Sequence, residues 1–288
     1  MNMVKDSVFT RHERTFENYE YTYPVISRRA KGLSIGINLS RIKECNFACV
    51  YCQVDRTIKT PQTRKINLEK LKSEILFLLE SALSGELFSH PRFAGATKEY
   101  QVVKDISFSG DGEPTMSSYF EKAAEMVIGI VEECQSRNIF IKPTVITNGY
   151  NLQNPQVSEI LKKMDVLGGG PWVKLDAGTE EEYQKVACTN LKYKMILDNI
   201  ITFSSTTPIL MQTILFHWSD GKPSFELEPM IEQLLSLKDK GANIKQIQLY
   251  TIARKTPTDD IHAATESTLE NYRNVIQKKT NIPVNIYV

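Results

Sequence analysis

The chain of 288 residues contains no run of 18 apolar residues, and Met1 to Glu20 is polar and charged with no apolar stretch of signal-peptide length. The first absence argues against a helix through a bilayer and the second against a secretory leader, so a cytoplasmic protein without a membrane partner is expected. Charge of one sign is also lacking: 35 basic residues face 34 acidic ones, a net charge of +1. No global field therefore draws in nucleic acid or anionic lipid, although room is left for a local basic patch. Cysteine is scarce, with five in the chain, and an odd, clustered set suits a reducing compartment better than a disulfide framework. No internal repeat, low-complexity run or linker divides the sequence. At 41% hydrophobic and 24% charged residues it is an ordinary globular chain, long enough for one α/β barrel of about 250 residues.

What the chain does have is Cys45-Asn-Phe-Ala-Cys49-Val-Tyr-Cys52, three of its five cysteines within eight residues. Chance would give this spacing in on the order of one such chain in a thousand, so a shared metal is the natural account. Structural zinc wants four closed ligands, usually as two pairs on separate knuckles. No second pair is visible: Cys134 and Cys188 stand alone, and His12, His90, His217 and His262 are unpaired in sequence. A cubic iron-sulfur cluster needs one ligand per iron, and three thiolates leave one iron open to a ligand. Both readings stand at this point, as does that of a non-catalytic metal or electron-transfer module.

Along the chain, residues 1–26 carry aromatics among charges and are expected to form an extended N-terminal arm. Ser27-Arg-Arg-Ala-Lys-Gly32 is basic, and is either a solvated loop or a binder of anions. Strands are expected near residues 33, 104, 142, 172, 209 and 245, the fifth running from Ile209 to Phe216. Helices are expected at Ile66 to Leu83, Tyr119 to Gln135, Val157 to Met164, Asn190 to Phe203 and Phe225 to Lys240. A core of residues 27–256 is followed by a C-terminal helix and strand, residues 257–288, packed on it. Such βα alternation argues for a parallel sheet with helices outside. Six units are too few to close an eight-stranded barrel, which predicts an α/β chain with a partial (β/α)6, TIM-like barrel. Cys134 reads as a small buried apolar residue and Cys188 as structural.

In such barrels chemistry gathers beyond the C-terminal strand ends. The cysteine loop follows the first strand. Gly110-Asp-Gly-Glu-Pro114 follows the second, where glycines permit a sharp turn and a close backbone approach. Thr147-Asn-Gly149 ends the third, usually no more than a turn signal. Lys174 and Asp176 alternate with apolar Val173 and Leu175 on the fourth and so share a face. Lys174 and Arg254, at the ends of the fourth and sixth strands, are the candidate catalytic cations, positioned to meet an anionic group; Arg254 could equally neutralise Asp259 or Asp260.

The C-x3-C-x-aromatic-C pattern, with Tyr51 before the last cysteine, resembles the signature of the radical S-adenosylmethionine (SAM) superfamily. That resemblance implies a single [4Fe-4S] cluster on Cys45, Cys49 and Cys52, whose open iron chelates SAM. Reductive cleavage would then give methionine and a 5′-deoxyadenosyl radical that abstracts a hydrogen atom from substrate. An electron donor such as flavodoxin or ferredoxin is implied. Gly110, Asp111, Gly112 and Glu113 fall where the family carries a Gly-Gly-Glu-Pro motif that holds the SAM amino group, with Asp111 interrupting the paired glycines. Thr147, Asn148 and Asp176 resemble its strand-end polar groups near the ribose, and Tyr51 joins the cofactor-binding set.

Within the superfamily, Ser27 to Asn38 together with Cys49 to Arg56 look most like the branch related to wyosine-type tRNA-modifying enzymes. The resemblance makes a tRNA nucleotide the candidate substrate, with a glycyl-radical enzyme or a small metabolite as alternatives. Those relatives hold a second cluster on cysteines upstream of the main motif, whereas here no cysteine precedes Cys45.

Overall fold

The computed structural model describes residues 14–54, 56, 63–254 and 256–288. The first half of the expected arm, residues 1–13, lies outside the described residues, as do Asp55, residues 57–62 and Lys255.

Ten strands and seven α-helices are present among the described residues. In chain order they are β1 (Thr22–Ser27), β2 (Gly32–Ile37), α1 (Leu68–Ser84), β3 (Val103–Phe108), α2 (Phe120–Ser136), β4 (Lys142–Thr147), α3 (Pro155–Val166) and β5 (Gly170–Lys174). Then come α4 (Glu180–Ala187), α5 (Tyr193–Ser204), β6 (Ile209–Ile214), β7 (Phe216–Trp218), α6 (Leu227–Asp239), β8 (Ile244–Tyr250), β9 (Ile261–Ala263), α7 (Glu266–Thr280) and β10 (Val284–Tyr287). The main strands are ordered β1-β2-β3-β4 in one part of the chain and β5-β6-β8-β10 in the other. The six expected strands are β2, β3, β4, β5, β6 and β8, and the chain is α/β with the strand and helix order of a partial (β/α)6 barrel.

The residues group into two compact units, one of Met1–Glu44, Thr60–Ile146 and Glu159–Gly170, the other of Cys45–Lys59, Thr147–Ser158 and Pro171–Val288. In the first, β2, β3 and β4 are parallel, with Ile35 beside Ile106 and Ser107 beside Thr144. Alternation along the strands puts Leu33, Ile35, Ile37, Ile106 and Phe108 on one face, all completely buried, and Ser34, Asp105, Ser107 and Thr144 on the other. Leu71, Ile75 and Leu78 of α1 are likewise fully buried, the amphipathic stripe that the periodicity predicts.

The second part of the expected arm joins the sheet. β1 pairs antiparallel with β2, and Pro24 is tolerated because β1 is an edge strand that can lack one donor. The Tyr23 ring occupies the space above Gly36, where a Cβ would lie 2.4 Å from it. The start of the hairpin is fixed by Glu74 of α1, buried, which accepts from the backbone N–H groups of Glu20, Tyr21 and Thr22 at 2.9–3.1 Å. A carboxylate taken from water needs such charge-assisted partners.

In the second unit β5, β6, β8 and β10 run parallel. The run from Ile209 to Phe216 is two strands rather than one. It breaks at Leu215, whose N–H donates to Tyr250 O, and β7 then turns away to pair antiparallel with β9. The expected helix from Asn190 begins at Tyr193, and a separate helix, α4, precedes it. Thr179 and Glu182 start α4 as a reciprocal capping box, a T-x-x-E signal present in the sequence but hidden from a search for apolar periodicity. Cys188, in the left-handed region at φ 45°, ends α4. Its thiol is exposed, whereas that of Cys134 is buried in α2.

Candidate active site

The cysteine loop is anchored through its backbone. Ala48 N–H donates to Ala187 O and Val50 N–H to Val186 O, both at 3.0 Å, so the loop lies along the last turn of α4. Those carbonyls are free to accept because a helix leaves its last turn of C=O groups without intrahelical partners. The Thr189 hydroxyl adds a third tie, to Asn46 O at 2.8 Å. Within the loop Cys52 N–H bonds Cys49 O, and Phe47 N–H points at the Cys45 sulfur, 3.5 Å away. Val50 and Tyr51 pack on the apolar cluster of Val186, Ile214, Phe216, Trp218 and Ile261. All three cysteine residues are partly buried.

The strand end of β4 meets this loop. Asn148 Nδ2 donates to Asn46 Oδ1 at 2.7 Å, and Asn148 Oδ1 accepts from Tyr150 N–H. Thr147 Oγ1 accepts from Gly149 N–H, and Gly149 turns at φ +82°. Asn199 of α5, buried, clamps the turn by donating to Gly149 O and Tyr150 O. Its position on a helix gave no motif signal.

Beyond β5, Asp176 collects three partners. Its Oδ2 accepts the Tyr51 hydroxyl at 2.5 Å, its Oδ1 accepts Ile214 N–H at 2.9 Å, and Lys174 Nζ stands 3.6 Å from Oδ2. Lys174 also donates to the Tyr250 hydroxyl and sits over the rings of Tyr51 and Tyr250, 4.8 and 4.7 Å from their centroids. Burial pulls the lysine pKa down, but Asp176 and Tyr250 outweigh it and the net shift is upward, so Lys174 is a cation. Burial, and next Asp176, push the Tyr51 phenol well up. The same two causes hold the Cys49 thiol up at about 12 in the metal-free protein, so ligation there must displace a proton. Arg254 lies four residues past Tyr250 and is partly buried.

In the first unit, the turn after β3 is built by close approach. A Cβ on Gly110 would lie 2.4 Å from Asn38 Oδ1, and one on Gly112 would lie 1.8 Å from Glu44 O, the residue before Cys45. Asp111, which separates the two glycines, binds Arg14 Nη1 at 2.7 Å and Asn38 Nδ2 at 2.8 Å. Glu113, buried, accepts from the Thr115 N–H and hydroxyl and so caps the short 3-10 turn Pro114–Met116. Both glycines are thus required by the chain's own backbone.

The donor set fits an iron-sulfur cluster: three thiols on one pinned loop, with backbone N–H directed at one sulfur. Two buried donors, Asn46 Nδ2 and the Tyr183 hydroxyl, have no hydrogen-bond partner among the described residues. Asn148 fixes the Asn46 amide orientation by occupying its oxygen. No helix among the described residues is long and apolar enough to cross a membrane.

The family model of the radical SAM superfamily matches residues 39–217. A UPF0026 protein of Methanocaldococcus jannaschii is 28% identical over 179 residues, 62% of this chain and 46% of that protein. A protein of Brachyspira hyodysenteriae named GTPase Obg is 23% identical over 268 residues, 91% of this chain and 34% of that one. The chain thus spans half the length or less of these two relatives. Among solved structures, TYW1 with a lysine-pyruvate adduct bound aligns with a TM-score of 0.53 at 15% identity, covering 96% of this chain and 82% of that one, a likeness of fold. With its signature cysteines inside the matched span, the chain belongs to the radical SAM superfamily, and membership implies an iron-sulfur cluster and the use of SAM.

Proposed function

We propose that Cys45, Cys49 and Cys52 hold a single [4Fe-4S] cluster and that the enzyme uses it to start hydrogen abstraction from a nucleotide of tRNA. The observation that carries the reading is the loop itself: three thiols whose backbone is tied at Asn46, Ala48 and Val50 to the segment Val186 to Thr189. When bound, the cluster supplies one electron to SAM, breaking its sulfur–C5′ bond to leave methionine and a 5′-deoxyadenosyl radical.

The chain's own residues bind, orient and exclude water. Gly110, Asp111, Gly112 and Glu113 offer backbone groups to the SAM amino end. Thr147, Asn148 and Asp176 orient its ribose, and Tyr51 holds Asp176 in place. Lys174 and Arg254 meet anionic groups of the substrate or of SAM. A flavodoxin or ferredoxin supplies the electron. The tRNA substrate is favoured by the likeness of Ser27 to Asn38 and Cys49 to Arg56 to the wyosine-related branch, although with no cysteine before Cys45 in this sequence a second cluster would not be built in the way those relatives build theirs. A glycyl-radical enzyme or a small metabolite is the alternative substrate.

Anaerobic reconstitution tests the reading. Protein supplied with iron and sulfide should hold about four of each per chain, and with SAM and dithionite should release 5′-deoxyadenosine. Each single Cys→Ala change at Cys45, Cys49 or Cys52 should abolish both, and Cys134→Ala neither. Stoichiometric zinc with no iron uptake would overturn the cluster, and a reduced-cluster spectrum indifferent to SAM would overturn the chemistry.

A further inference from the structure

We propose that the Tyr183 hydroxyl donates a hydrogen bond to the sulfur shell of the cluster, either a thiolate or a sulfide, and thereby helps to set its reduction potential; this rests on the cluster reading above.

The geometry starts from α4. Tyr183, Val186 and Ala187 are spaced i, i+3, i+4 and so share one helix face, and all three are buried. Val186 and Ala187 give their carbonyls to the cysteine loop, which so lies at the C-terminal end of the same helix. Phe47, between Cys45 and Cys49, packs its ring edge-on to Tyr183 with centroids 5.8 Å apart. The other side of the Tyr183 ring stacks on Tyr193 at 4.9 Å. The ring is therefore held on both sides.

The two tyrosines differ at their hydroxyls. That of Tyr193 donates to Ala177 O. That of Tyr183, on a residue only 5% exposed, has no partner among the described residues. A buried donor without an acceptor is costly, and native folds retain one chiefly where something else accepts from it. Burial raises the Tyr183 phenol pKa, with the charge of Cys49 the next cause. Asn46 Nδ2 is a second unpartnered donor at the same loop. Donors aimed at cluster sulfur favour the reduced, more negative state and raise the potential.

The test compares Tyr183→Phe with Tyr193→Phe, each losing one buried hydroxyl, in the full chain. Without the cluster, Tyr183→Phe should melt at or above the wild-type temperature, because no bond is lost, while Tyr193→Phe should melt lower. Reconstituted Tyr183→Phe should keep the wild-type iron and sulfide content, and its reduced-to-oxidised ratio at a fixed potential should fall about tenfold, equivalent to about 59 mV. Its iron–sulfur stretching bands should move, whereas those of Tyr193→Phe should not. A Tyr183→Phe potential and spectrum equal to wild type overturn the inference and leave the cluster reading intact. So does a fall in the metal-free melting temperature, which would show that the hydroxyl already had a protein partner. Wild-type protein that takes up no iron overturns both.

Discussion

Tyr51, lodged between two signature cysteines, donates its hydroxyl to Asp176, 125 residues further along the chain. Through that bond the cysteine loop is joined to the end of β5. The same carboxylate takes Ile214 N–H and stands beside Lys174, so one acidic group connects the loop, two strand ends and the candidate cation.

Removing that group should therefore be costly. Asp176→Ala leaves Lys174, 17% exposed at its side chain, as a largely buried cation without its carboxylate and is expected to lose about 3 kcal/mol of stability. Adding Lys174→Met should recover part of the loss by removing the stranded charge. Urea unfolding of the two single variants and the double variant measures the coupling, and strictly additive losses would show that the pair is not coupled.

Gly112 tests the turn after β3. With Glu44 O 1.8 Å from the position of a new Cβ, Gly112→Ala must move backbone, at an expected cost of about 1–3 kcal/mol. Because Glu44 leads directly into Cys45, iron retained per chain should fall as well. Gly129 supplies the control. It lies within α2 with nothing inside 4 Å of its Cβ position, and Gly129→Ala should stabilise by about 0.5–1 kcal/mol.

Stability should fall as pH rises through the weakly acidic range. Burial raises the Asp105 carboxyl from 3.8 to about 7, and its Oδ1 has no hydrogen-bond partner among the described residues. The folded state therefore binds the proton more tightly than the unfolded chain. The resulting penalty is absent below pH about 4, grows between pH about 4 and 7, and is complete above that, reaching roughly 4 kcal/mol. Asp105→Asn should flatten this dependence. Denaturant midpoints measured from pH 4 to 8 decide, and a wild-type profile that rises over the window would contradict the assignment.

For Arg254 the expected signature is selective. Arg254→Ala should leave iron content and uncoupled 5′-deoxyadenosine release within about twofold of wild type, and lower turnover of the true substrate tenfold or more, because a positioning contact is lost and the cofactor site is intact. Parallel loss of SAM binding would place Arg254 at the cofactor. A lower melting temperature alone would make it structural, as a partner of Asp259 or Asp260 would be.

By itself the sequence determined the chemistry-bearing loop and the order of the elements. Three cysteines within eight residues must share surroundings however the chain folds. Likewise, period-3.6 and period-2 apolar patterns select helix and strand locally, which is why β2, β3, β4, β5, β6 and β8 and the stripe of α1 were legible. Only tertiary structure decided what each polar group meets. Glu74 reads as one more charge on an amphipathic helix until the folded hairpin brings three backbone N–H groups to it. Gly110 and Gly112 read as room for a ligand, yet the atoms nearest their missing Cβ positions belong to Asn38 and Glu44. Tyr183 carries no motif, and only the fold shows that its hydroxyl is buried without a hydrogen-bond partner among the described residues. The physical reason is range: local patterns are set by neighbours in the chain, whereas burial and hydrogen-bond satisfaction depend on residues distant in sequence, whose positions the folded chain alone supplies.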